Sequence, residues 1–135
     1  VALAYASTED EVAGLLSCAT GKDIPVTIRG GGHSNHGASI NHGALCVDLS
    51  WMNETRLVGE TAEIQAGSTA GQALYHVFTQ SNGKRGVPVG EKPGVGFAGL
   101  LLGGGFGFSS RRDGLLCDRL LSMKAVTLTG EKITV

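Results

Sequence analysis

The chain has 135 residues, 41% of them hydrophobic, with a formal net charge of −1 at pH 7. That is enough for one domain with a real core, and it excludes a nucleic-acid or acidic-membrane surface built on bulk positive charge. Glycine is the outlier at 22 residues, but the sequence has no collagen period and too many apolar residues for a disordered linker.

In chain order, the first predicted element is a helix. Thr8 can cap it while Glu11 reaches back, the S/T-x-x-E box. Val12, Leu15, Leu16 and Ala19 then repeat at helical spacing, and Gly21 suits the position after the last turn. "IPVTI" (24–28) predicts a strand with Pro25 at its start. It runs into "RGGGHSNHG" (29–37), so a glycine stretch stands at the carboxyl end of a strand, where ligands gather in α/β architectures.

"ALCVDL" (44–49) and "AEIQA" (62–66) predict two further short strands, and Trp51 and Met52 behind the first are expected in the core. Ser68 or Thr69 with Gln72 opens a second helix. Its Ala70, Leu74, Val77 and Phe78 are expected to face inward, with His76 in solvent and closure near Gly83. An irregular region follows from 84 to about 110, with glycine dominating where a helix could begin. "LLSMKAVTL" (120–128) predicts a strand, turned by "TGE" and answered by "KITV". Elements that alternate and then favour strands make the class α+β.

Several features read modestly. Cys18, Cys46 and Cys117 form no C-x-x-C pair or disulfide framework and are expected as buried thiols. "NET" (53–55) fits the N-glycosylation pattern, which matters only in a secreted protein. The uncharged, glycine-rich run 94–110 falls short of the roughly 20 residues of a membrane span. Val1 follows no initiator Met or signal peptide, so the chain reads as a processed or excised piece and leaves its compartment open. Asp118 is expected to orient a turn.

The loop at 29–37 carries the chemistry. Consecutive glycines remove Cβ atoms and let successive N–H groups point the same way, a nest that binds anions, phosphate above all. Arg29 can assist. Histidine is the side chain that stays partly neutral near pH 7, and the neutral imidazole that His33 can supply is nucleophilic toward an electrophilic cofactor carbon. Two rivals stand beside this reading. "GVGFAG" (94–99) matches G-x-G-x-x-G, but Pro93 precedes it where a Rossmann strand should end. His33, His36, His42 and Cys46 are close enough in sequence to hold zinc, without an H-E-x-x-H or C-x-x-C to support them.

Four blocks in order, "IPVTIRGGGHSNHG", "LCVDLSWMN", "IQAGSTAGQ" and "PGVGFAGLLLGGGFGFSSRRDGLLCDRLLS", span nearly the whole chain. Together they resemble the FAD-binding domain of the berberine-bridge-enzyme-like flavoprotein oxidases, in the vanillyl-alcohol-oxidase and p-cresol-methylhydroxylase (PCMH) group. The resemblance implies a PCMH-type fold, a small parallel sheet and an antiparallel sheet with flanking helices. It implies a partial domain over 1–135, continuing on the C-terminal side, with the substrate domain absent.

The resemblance further implies that His33 carries an 8α-linked FAD and that Gly30, Gly31, Gly32 and Ser34 cradle its pyrophosphate. Arg29, Asn35, Gly37 and Ala38 complete that loop. Gly94, Gly96, Gly99, Leu102 and the run Gly103, Gly104, Gly105, Phe106 and Gly107 are expected to wrap the other side. Doubly tethered members place a cysteine before the proline of C-P-x-V-G; here Lys92 stands there, implying a single tether, with Cys117 a packing residue. The implied activity is hydride transfer from an alcohol, sugar or related small molecule to FAD, with O2 as acceptor and hydrogen peroxide as product. Nucleic acid and membrane are not expected as partners, no catalytic base is assigned, and the isolated chain is expected to be inactive. A nucleotide-binding or interaction protein that keeps the fold without catalysis is the alternative from a different class.

Overall fold

The computed structural model describes residues 2–135. Its first layer is a three-stranded parallel sheet in the order β1-β3-β2, built from β1 (Ala2–Tyr5), β2 (Val26–Arg29) and β3 (Leu45–Asp48). The register brings Tyr5, Asp48 and Arg29 level at the carboxyl ends of the strands. β1 was not expected: "ALAY" is alanine-rich and largely exposed, with little strand propensity of its own. It pairs because β3 has a second edge to offer.

Helix α1 (Glu9–Thr20) joins β1 to β2. Thr8 Oγ1 accepts from the Glu11 N–H, as the capping pattern requires, but the Glu11 carboxylate reaches one residue further back, to the Ser7 N–H and hydroxyl. Those bonds hold the exposed Glu11 carboxyl below its ordinary value. Val12, Leu16 and Ala19 are buried, and Val12 and Leu16 pack with Ala6, Val47 and Met52 as one core cluster, with Leu15 at its margin. Gly21 caps the helix in a right-handed conformation; the left-handed turn comes at Asp23.

β4 (Thr55–Val58) and β5 (Thr61–Ile64) form an antiparallel hairpin about Gly59. Only β5 was anticipated, because "TRLV" mixes polar and apolar residues too evenly for a run to stand out. Helix α2 (Ala70–Gln80) starts with a true capping box between Thr69 and Gln72. Its buried residues are Ala70, Ala73 and Val77, whereas Leu74 is 38% and Phe78 53% exposed, a correction to the expected inward face. Small side chains along Ala70 and Ala73 let α2 approach Phe97, Val89 and Leu116, the second core cluster.

The segment expected to be irregular contains a short helix, α3 (Phe97–Leu102), followed by α4 (Ser110–Asp113) and a 3₁₀ turn at Cys117–Arg119. The last expected strand is shorter than 120–128. β6 (Lys124–Val126) pairs antiparallel with β7 (Lys132–Thr134), and Gly130 in the turn between them has positive φ. This hairpin docks on α1, where Ser17 and Thr20 hydroxyls donate to the Thr129 and Leu128 carbonyls and Lys132 pairs with Asp10 at 2.6 Å.

Three smaller expectations are also corrected. Trp51 is 63% exposed and stacks on Tyr5 with ring centroids 4.9 Å apart, while Met52 is buried as expected. Cys46 alone of the three thiols is buried; Cys18 and Cys117 are exposed. His76 is half-buried, edge-on to Tyr75.

Candidate cofactor site

The chain passes from β2 to β3 through residues 30–44 with no helix, so the glycine–histidine loop is itself the crossover of a parallel pair. At its root Arg29 Nη1 donates to Asp48 Oδ2, and Asp48 is fully buried. The other Asp48 oxygen accepts from the Ser50 N–H at 2.8 Å. Burial alone would push the Asp48 carboxyl up; Ser50 and the Arg29 guanidinium more than offset it and leave the group below its ordinary value. The hydrogen bond and charge of Asp48 in turn push Arg29 up.

Above this pair the loop meets a second glycine segment. A Cβ on Gly31 would strike the Gly96 nitrogen and come within 2.7 Å of the Gly94 carbonyl oxygen. Gly31 is therefore a glycine for close main-chain packing, a task beyond the ligand approach expected of it. Residues 93–97 are clamped in turn to the start of α2: Ala70 and Gly71 donate to the Val95 and Pro93 carbonyls, and Phe97 donates to Ser68. The imidazole of His33 lies along this seam, with Nε2 3.3 Å from where a Gly94 Cβ would stand.

Among the described residues, the main-chain N–H groups of 30–36 donate to no protein acceptor. Gly37 and Ala38 instead turn theirs to the Ser34 carbonyl and hydroxyl oxygens, at 3.1 and 3.3 Å, and close the loop. Gly32 adopts φ +70°, and a Cβ there would sit 2.9 Å from Arg29 Nε. The row of open amides, a guanidinium beneath them and the exposed His33 imidazole among them fit a diphosphate joined to an electrophilic ring.

The later glycine run makes its close contacts elsewhere. Gly105, with φ +76°, would place a Cβ 2.5 Å from Leu116 Cβ, and a Gly107 Cβ would overlap the Val89 carbonyl. Leu116 and Cys117 donate to the Gly105 and Gly104 carbonyls, and the Gly103 N–H donates to Gly99. Leu102 and Phe106 are more than 70% exposed, and Gly99 has open space where a side chain would go. The structure thus gathers Gly30, Gly31, Gly32 and His33 with Gly94 and Gly96, and packs Gly105 against Leu116 and Gly107 against Val89. Asp118 orients its turn as expected, accepting from the Leu115 N–H.

Both rivals lose support. A helix does open at Phe97, contrary to expectation, but a proline turn precedes it in place of a strand. Among the described residues no three His, Cys, Asp or Glu side chains converge to hold a metal ion; the Cys46 thiol donates to the Ser39 carbonyl. Asp48 was missed in the sequence, where its signal was a lone carboxylate inside the apolar run "LCVDL".

A family model described as the FAD binding domain matches residues 1–135. The chain belongs to that family. The FAD-binding domain is 32% identical over 133 residues to reticuline oxidase of Eschscholzia californica, covering 96% of this chain and 24% of that protein. It superposes on Physcomitrella patens berberine-bridge-enzyme-like 1 with a TM-score of 0.92 at 33% identity, over 98% of this chain and 29% of the other. It also superposes on glucooligosaccharide oxidase of Acremonium strictum, a protein with a 6-S-cysteinyl, 8α-N1-histidyl FAD, with a TM-score of 0.93 at 27% identity over 98% of this chain and 28% of the other. The chain spans about a quarter of the length of such relatives. Its fold is that of PCMH-type FAD-binding domains, and its relatives are FAD-linked oxidoreductases.

Proposed function

We propose that this FAD-binding domain is the cofactor-holding part of a flavin-dependent oxidase whose FAD is bonded through its 8α position to His33. The observation that carries the reading is the row of open amides at 30–36, with the exposed His33 imidazole in its middle on the seam with Gly94 and Gly96. The amides of 30–34 and the Arg29 guanidinium bind the diphosphate. Gly94 and Gly96 keep the second wall free of side chains, and the Gly99–Gly107 segment extends that wall. When bound, FAD supplies a hydride acceptor for a C–H bond of an alcohol, sugar or related small molecule, with O2 as the final acceptor and hydrogen peroxide as product.

The histidyl bond of the Acremonium relative supports the tether at His33. Lys92 occupies the place before Pro93 where the doubly tethered pattern needs a thiol, so the link here is single. Small-molecule substrate and O2 are the partners of this reading.

The test is mass spectrometry of the whole protein made with ample riboflavin. An added FAD mass on the peptide containing His33, absent in His33→Ala, is the expected result. A colourless protein with that peptide unmodified overturns the reading.

A further inference from the structure

We propose that Asp48 is the positioning residue of the glycine–histidine loop: its buried carboxylate holds the Arg29 guanidinium under Gly32, and so fixes the turn that aims the loop amides at the diphosphate. The inference rests on the FAD reading above and adds to it a residue that touches no cofactor.

A carboxylate in a fully buried place costs stability unless it is paired, and an apolar side chain there would commonly serve folding as well or better. Asp48 sits between Cys46 and Val47 on one side and Leu49 on the other, in the central strand of the sheet. Its charge therefore calls for a task. Its oxygens tie together two segments that leave the sheet at the same level, the Ser50 turn after β3 and the Arg29 end of β2.

Arg29 spends Nη1 on Asp48, while Nε and Nη2 lie on the Gly32 side and donate to no protein group among the described residues. Gly32 takes a left-handed conformation, and the guanidinium lies where a side chain on it would go, so the turn and the Arg29 head fit only with glycine between them. This matters because, among the described residues, the N–H groups of 30–36 donate to nothing and the Gly37 N–H to Ser34 carbonyl bond is the one main-chain bond that this stretch takes part in. Their geometry has to come from outside, from Gly96 at the side and from the Asp48–Arg29 pair below. The pair also leaves two guanidinium nitrogens facing the loop with their orientation already set, which lowers the ordering cost of binding.

The test uses the whole protein in a His33→Ala background, where FAD binding is reversible. Asp48→Asn keeps the acceptor for Ser50 and removes the charge that holds Arg29. It is expected to weaken the Kd for FAD about tenfold, the size of one lost charge-assisted hydrogen bond. It should also speed trypsin cleavage of the Arg29–Gly30 bond in flavin-free protein, with cleavage after Lys132 unchanged. Arg29→Lys keeps the ion pair and loses the fork, so it should weaken the Kd while cleavage at that bond stays slow. An unchanged Kd in folded Asp48→Asn overturns the proposal, as does a lowered melting temperature with binding intact. If Asp48→Asn does not fold, an unchanged Kd in Arg29→Lys overturns it. A His33→Ala protein that binds no FAD, from a parent whose His33 peptide is unmodified, fails the cofactor reading instead, and the trypsin comparison then judges the positioning role alone.

Discussion

Gly31 and Gly96 meet main chain to main chain. The Gly31 nitrogen and α-carbon lie where a Cβ on Gly96 would go, and the reverse holds for Gly31. This contact joins the crossover loop of the parallel sheet to the segment that leads into α3, and it lies on the seam where His33 approaches Gly94.

Gly31→Ala should therefore act as overpacking between rigid backbones. A loss of about 1–3 kcal/mol is expected, read as a lower urea midpoint, together with reduced flavin per folded chain. Gly99→Ala offers the contrast, since nothing stands within 4 Å of its added Cβ and it lies inside α3. There the fold should be unharmed, so any fall in flavin content reports the missing space directly.

Gly14 lies in the middle of α1 with no neighbour within 4 Å of an added Cβ. Gly14→Ala should stabilise the domain by about 0.5–1 kcal/mol through helix propensity and a less free unfolded chain. Thermal and urea unfolding both check it, and a destabilised protein would mean that this face of α1 is covered.

Thr69→Ala removes half of the capping box of α2. About 1 kcal/mol of stability should go with it. Because the first turn of α2 also holds the Val95 and Pro93 carbonyls, the same variant should loosen flavin retention, measured as free flavin released on mild heating in a His33→Ala background.

Asp48 sets a pH dependence whose sign follows from its lowered value. The unfolded chain takes up a proton at the ordinary carboxylate pKa of 3.8, the folded chain only at lower pH. Its contribution is therefore whole above that value and is lost as pH falls through the folded one. Unfolding midpoints between pH 6 and 2.5 should fall more steeply in the parent than in Asp48→Asn; equal slopes would show that the carboxylate is unpaired in solution.

Both helix starts were legible because a cap is local: Thr8 meets Glu11 and Thr69 meets Gln72 three residues along the chain. The glycine–histidine loop was legible for a related reason, since it follows a strand and needs little else to mark it. The inward face of α2 was legible only in part: Ala70 and Val77 are buried as expected, Leu74 and Phe78 are not. Leu74 and Phe78 are the more hydrophobic choice, but the partners of α2 accept the small Ala73 instead and leave both outside among the described residues.

By itself, the order of residues determined the α+β class, the caps, the place of the loop with His33 and the family that these blocks resemble. Only the tertiary structure decided that "ALAY" and "TRLV" become strands, because a strand's hydrogen bonds belong to a partner elsewhere in the chain. It alone decided that Gly31 answers to Gly96 and Arg29 to Asp48, and that Trp51 rests outside on Tyr5. These are contacts between segments far apart in sequence, and steric fit and buried charge have no meaning until the chain has folded to bring them together.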